Sequence, residues 1–274
     1  MKILIAADME GITGVTNWNQ VDPAHAEYPR FRRLMTSDVN AAIRGVCTSG
    51  IDDILVTDGH EYGTNLLIED LDPCAQLISG DYSPLAMIQG VDQGVDGVIL
   101  VGYHARAGSR NAILDHTWSS RRVANLWLND ILVGEYGLNG AVAGHFNVPI
   151  IMLTGDQTTC TQATELLGPI ETVVVKTALS RMAAICLPPS VTEELIQKAA
   201  SQVVKRLQAG GAPKPFVIPP PVRVTIEFNT SDQADQASIY PSAERVDGRQ
   251  LSFTADDMLA AYLGFQAAVA MVRL

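Results

Sequence analysis

The chain has 274 residues, 47% of them hydrophobic and 18% charged, a balance that suits a globular fold with a full core and excludes disordered or fibrous classes. Its net charge of -11 and sequence pI near 4.8 repel phosphate backbones and anionic membranes, so neither nucleic acid nor a membrane is an expected partner. The apolar start is short and ends at Asp8, without the pattern of an export signal or the ~18 apolar residues of a membrane span, so a cytoplasmic location is expected. The four cysteines, Cys47, Cys74, Cys160 and Cys186, form no C-x-x-C and are expected to be buried, reduced thiols.

Residues 2–7 predict a first strand. Phe31, Met35, Val39, Ile43 and Cys47 then recur every four positions, the stripe of an amphipathic helix that Gly50 ends. Further strands are predicted over 52–60, 94–105, 148–157 and 172–178. Continuous β-branched runs separated by helices imply an α/β fold with a mostly parallel sheet flanked by helices. Ser190-Val191-Thr192-Glu193 reads as a capping box opening a helix towards Gly210-Gly211. A proline-rich link at 213–221 precedes an alternating strand at 222–229, and a helix from about Ala255, apolar on most sides, closes the chain. Such a helix is either sandwiched in the core or buried between subunits. The expected division is an α/β metal-binding catalytic domain over 1–180 and a smaller α+β portion over 181–274, assigned to oligomerisation and pocket lining.

Ligands of open parallel sheets bind beyond the carboxyl ends of the strands. Strand one ends in Asp8-x-Glu10, the second in Asp58-x-His60 and the third in Tyr103-His104. Two acids at the mouth of an apolar strand are costly to bury unless something positive lies between them. Taken singly, each residue has a plainer explanation: a strand-end histidine usually bonds backbone, and an aspartate there commonly caps a helix. Their convergence on one edge carries the reading, and mixed Asp/Glu/His donors without clustered Cys suit zinc or a similar divalent ion. Beyond strand three, "DHT" places Asp115 and His116 in a loop, and "GEYGLNG" carries Glu135 among three glycines expected to allow tight turns. Asp156, after strand four, is read as a cap or as a neighbour of the site.

"DMEGITG", "DGH", "GYHARAG", "DHT" and "GEYGLNG", in this order, resemble the D-aminopeptidase family known as the M55 peptidases. "RLMTSDVNAAI", "LISGDYSPLAMIQG", "VPIIMLTGD" and the late "DMLAAY" extend the resemblance over essentially the whole chain. The resemblance implies two zinc ions per subunit sharing a bridging water, and removal of N-terminal residues, preferably D-amino acids, from short peptides or amino-acid amides. Carried over by motif, Asp8 and Glu10 are metal ligands, with Asp8 bridging. His60 completes the first ion's set, His104 and Glu135 hold the second, and His116 matches the catalytic histidine. The resemblance also implies a homo-oligomer, a ring-like assembly with a decamer as the expected count. The alternatives are a cytoplasmic peptide-binding protein associated with dipeptide uptake, and a two-metal hydrolase of another amide or a phosphoester, for which Arg106 is the nearest phosphate-binding candidate.

Overall fold

The computed structural model describes residues 1–273. In chain order the elements are β1 (Lys2–Ala7), α1 (Tyr28–Cys47), β2 (Asp53–Asp58), β3 (Ala75–Ile78), β4 (Gly97–Val101), β5 (Val123–Leu128), β6 (Ile131–Val133), α2 (Glu135–His145) and β7 (Ile150–Asp156). Then follow α3 (Gln157–Leu167), β8 (Glu171–Ser180), β9 (Ala183–Cys186), α4 (Pro189–Gln208), β10 (Val222–Phe228), α5 (Ser231–Ala237), β11 (Glu244–Arg245), β12 (Gln250–Ala255) and α6 (Met258–Ala270). Among the described residues no helix is long and apolar enough to cross a membrane.

The strands form two sheets. The larger has the order β3-β2-β1-β4-β7-β8-β9 and is parallel except for the β8–β9 pair. β1 is therefore central. Its side chains alternate between two cores: Ile3, Ile5 and Ala7 pack with α1 and α4, while Leu4 and Ala6 join the apolar mass formed with α2, α3 and the second sheet. The second sheet, β11-β12-β10-β5-β6, is antiparallel, and α6 lies between it and α2. Tyr262 and Phe265 are fully buried there, so the apolar last helix is sandwiched within the subunit. Position 180 falls at the end of β8, and the second sheet draws β5 and β6 from before it and β10 to β12 from after it.

Three local expectations change. Ser190 does not cap α4: the helix begins two residues earlier than that cap would place it, with Pro188 at the N-cap and Pro189 inside the first turn. The glycines of "GEYGLNG" do not make turns. They start and line α2, where a Cβ on Gly137 would lie 2.6 Å from Leu166 and one on Gly140 2.8 Å from Leu167, so they let α2 and α3 pack closely. Of the four free cysteines only Cys160 is buried; Cys186 is exposed and the other two are half-buried.

Candidate metal centre

The chain runs from β1 outward to β2 and β3, then returns to β4 on the other side of β1 and continues to β7 and β8. The order thus reverses between β1 and β4, and a crevice opens there beyond the carboxyl ends of the strands. Those ends are flush, since Ala7 pairs with Asp58 on one side and Val101 on the other. Asp8 and Glu10 follow β1, His60 follows β2, and His104 and His116 follow β4. Glu135 occupies the first turn of α2. All six meet at this point.

Asp8 Oδ1 lies 3.3 Å and Glu10 Oε2 3.2 Å from His60 Nδ1. His104 Nε2 lies 3.4 Å from Asp8 Oδ2 and 3.0 Å from Glu135 Oε1. His116 Nε2 stands 3.6 Å from Glu135 Oε1 and 3.9 Å from Glu10 Oε1. Each imidazole has its other nitrogen bonded to a backbone carbonyl, which only accepts. His60 Nε2 donates to Val21 O at 2.9 Å, His104 Nδ1 to Ala105 O at 3.0 Å and His116 Nδ1 to Leu114 O at 2.8 Å. The nitrogens facing the carboxylates are thus left for a proton or a metal.

In the protein alone, protons balance the acids. Burial opposes charge on His60, but Glu10 and Asp8 overcome it and hold its pKa well above the usual value. Burial likewise opposes charge on His104, yet Glu135 and Asp8 raise its pKa to about 10. Glu10 is held well below the usual carboxyl range, because His60 and His104 outweigh its burial. His116 differs: burial, with His104 beside it, lowers its pKa to about 4.

The backbone is shaped for this convergence. Gly11 N donates to Gly102 O at 2.7 Å, and a Cβ on Gly11 would lie 2.0 Å from Tyr103 O, so only glycine lets the loop after β1 touch the loop after β4. Lys176, which the sequence reading did not single out, is buried beneath this loop and donates to the carbonyls of Glu10 (2.6 Å), Ile12 (2.8 Å) and Val15 (2.8 Å). Its only outward signal is a lysine inside the β-branched run "VVVKTA".

Asp58 and Asp156 stand outside the cluster. Asp58 takes the backbone N–H of Asn65 and Leu66, fixing the loop that carries His60. Asp156 caps α3 through Thr159 N and also accepts from Ile113 N, three residues before His116. Arg106 borders a surface cleft with Tyr136, Gln162 and Glu165 instead of facing the acids.

The family model for D-aminopeptidase, Peptidase M55, matches residues 1–267. The chain belongs to the M55 peptidase family. Membership makes it a hydrolase of the metallo-aminopeptidase class, in preference to a peptide-binding protein. A relative, a D-aminopeptidase of Bacillus subtilis strain 168, is 37% identical over 275 residues, spanning 100% of this chain and 97% of its own. A solved structure, a Zn-dependent D-aminopeptidase DppA from Bacillus subtilis described as a self-compartmentalizing protease, matches with a TM-score of 0.95. It is 36% identical, over 99% of this chain and 97% of its own.

The donors suit the metal chemistry of an M55 peptidase. Asp8 Oδ2, Glu10 Oε2 and His104 Nε2 are buried without a hydrogen-bond partner. Asp8, Glu10 and His104 each offer a ligand atom within 4.8 Å of the others, as do His104, His116 and Glu135. Unpaired buried acceptors of this kind are costly unless a cation or protons lie among them.

Proposed function

We propose that this chain is a zinc-dependent aminopeptidase that releases N-terminal residues, preferably of D configuration, from short peptides or amino-acid amides at a dinuclear centre. Asp8, Glu10 and His60 hold one ion, His104 and Glu135 the other, and Asp8 is shared. The observation that carries this reading is the orientation of the histidines: each gives one N–H to a backbone carbonyl and turns its other nitrogen towards the carboxylates. When bound, zinc would supply Lewis-acid polarisation of the scissile carbonyl and a water acidified towards neutral pH.

The chain's own residues do the rest. Asp8 splits its oxygens, Oδ1 towards His60 and Oδ2 towards His104, the disposition a shared ligand needs. His116 donates Nδ1–H to Leu114 O, so Nε2 can take a proton and return it to the leaving amine. A substrate's free α-amino group lying against the metal site or a nearby carboxylate would favour cutting at the chain end. Trp18, half-buried against the edge of His116, lines the approach.

The self-compartmentalizing description of the structural relative supports self-association of this chain as well, with a decamer expected. Leu179, Met182 and Ile185, exposed on and beside the β8–β9 turn, supply apolar surface for such contacts. Light scattering on the purified protein tests the assembly.

The activity is tested by metal analysis together with hydrolysis of D-alanine amide and D-Ala-D-Ala, each against its L counterpart. Two zinc ions per chain, and turnover that favours the D substrates and stops with chelation, are expected. One ion or none under zinc-replete conditions would overturn the dinuclear reading. Preference for the L substrates would overturn the substrate reading.

A further inference from the structure

The turn between β8 and β9 reaches across to the loop that carries His116, and Arg181 stands at its tip. The Arg181 carbonyl accepts from Leu114 N at 2.9 Å. Its guanidinium donates twice to the next residue, Nε to Asp115 Oδ1 at 2.8 Å and Nη2 to the Asp115 carbonyl at 2.9 Å. The second carboxylate oxygen, Asp115 Oδ2, accepts from Gly108 N at 2.7 Å and Ser109 N at 3.2 Å. Asp115 therefore ties both limbs of this loop to the turn, and the residue that follows it is His116. On its other side the guanidinium carbon lies 5.5 Å from the centre of the Trp18 ring, which in turn meets His116 edge to face at 5.4 Å.

We propose that Arg181 is a positioning residue for His116: through Asp115 it fixes the backbone on one side, and through Trp18 it braces the imidazole on the other. The inference rests on the reading above, in which His116 acts on the substrate. Only arginine suits the place. A planar fork supplies two parallel donors for Asp115 and a flat cation for the indole, whereas an ammonium group supplies one point of contact.

The magnitudes separate this role from a purely structural one. Arg181 has 49% of its side chain exposed against 9% for Asp115, and half-exposed pairs contribute little to folding. Misplacing an acting group by about 1 Å can cost about 100-fold in rate. The loss should therefore appear in turnover and in the mobility of the loop, not in melting temperature.

The experiment compares zinc-loaded wild-type protein with Arg181→Met, Arg181→Lys, Asp115→Asn, the Arg181→Met/Asp115→Asn pair and His116→Ala. The readouts are kcat and KM on D-Ala-D-Ala, zinc content, Tm, and amide exchange at Gly108 and Ser109. Arg181→Met should lower kcat about 10- to 100-fold, with KM within about threefold, zinc content and Tm unchanged, and faster exchange at the two amides. Arg181→Lys should recover part of the loss, and the double variant should be no worse than the more impaired single. Wild-type kcat in Arg181→Met beside an inactive His116→Ala overturns this inference and leaves the functional reading standing. So does a fall in kcat matched by loss of zinc or of folded protein. Full turnover in His116→Ala overturns the reading itself, and the inference with it.

Discussion

The imidazoles of His104 and His116 lie face to face, with ring centroids 3.8 Å and planes 11° apart. Two charged rings would repel at that distance. The surroundings keep them in different states: burial and His104 lower His116 to about 4, while Glu135 and Asp8 overcome burial and raise His104 to about 10. Two adjacent histidines on one strand-end loop system are thereby given separate work.

The two rings should separate in mutagenesis. His116→Ala should keep its zinc and lose about 100- to 10,000-fold in kcat, the range for a group that moves a proton in the transition state. His104→Ala should lose metal as well as activity. Zinc lost from His116→Ala in parallel with activity would instead make His116 a ligand, which its 3.6 Å separation from Glu135 permits.

Asp8→Ala should reduce zinc to less than one ion per chain, since its oxygens face His60 on one side and His104 on the other. Loss of one ion alone would assign Asp8 to a single position. Metal analysis after dialysis against a weak chelator makes the distinction.

Lys176→Met removes the three bonds to the Glu10, Ile12 and Val15 carbonyls while roughly keeping the volume. Buried carbonyls left unpaired cost about 1–3 kcal/mol each, so the variant should lose on the order of 3 kcal/mol in urea unfolding. It should also bind zinc more weakly, because the Glu10 loop loses its anchor. A change within about 0.5 kcal/mol would show that water replaces the lysine freely.

Asp38, buried on α1, accepts from Thr13 N and Thr13 Oγ1. Burial raises its pKa to about 6, with the Thr13 bonds and Lys176 opposing in part. An unfolded aspartate titrates near about 3.9, so between about pH 4 and 6 the folded protein binds more protons and stability falls as pH rises. The penalty, of order 3 kcal/mol, is complete above about pH 6 and absent below about pH 4. Asp38→Asn lacks this component, so its stability relative to wild type should improve from about pH 4 to about pH 6 and level off above. A difference that stays flat with pH would remove Asp38 as the titrating group.

The parts most legible in the sequence were those whose pattern is local. β1, β4 and β7 are buried on both faces and read as unbroken apolar runs; α1 shows its stripe at every fourth residue. The six residues that converge beyond the strand ends could be picked out because they stand just beyond strands or in short polar motifs. The β5–β6 hairpin was missed, although Asn129 and Asp130, both with positive φ (46° and 68°), make the two-residue turn that such hairpins favour. Its main partner, β10, arrives about a hundred residues later, so no local pattern announces the second sheet. The glycines that open and line α2 were read as turn formers because glycine argues against a helix, and only contact with Leu166 and Leu167 explains them. Arg181 and Asp115 are 66 positions apart, and nothing in either segment names the other.

The central place of β1 has a consequence for synthesis. Both partners of β1 come later in the chain, β2 at 53–58 and β4 at 97–101, and both pair in parallel. Until about the hundredth residue has left the ribosome, its apolar backbone has at least one open edge, a condition that invites pairing with other chains. Lys2 at its start and Asp8 and Glu10 just beyond its end are the charges that flank that open edge, and charge there discourages wrong partners. The residues assigned to gripping metal in the finished protein would thus also guard the nascent one.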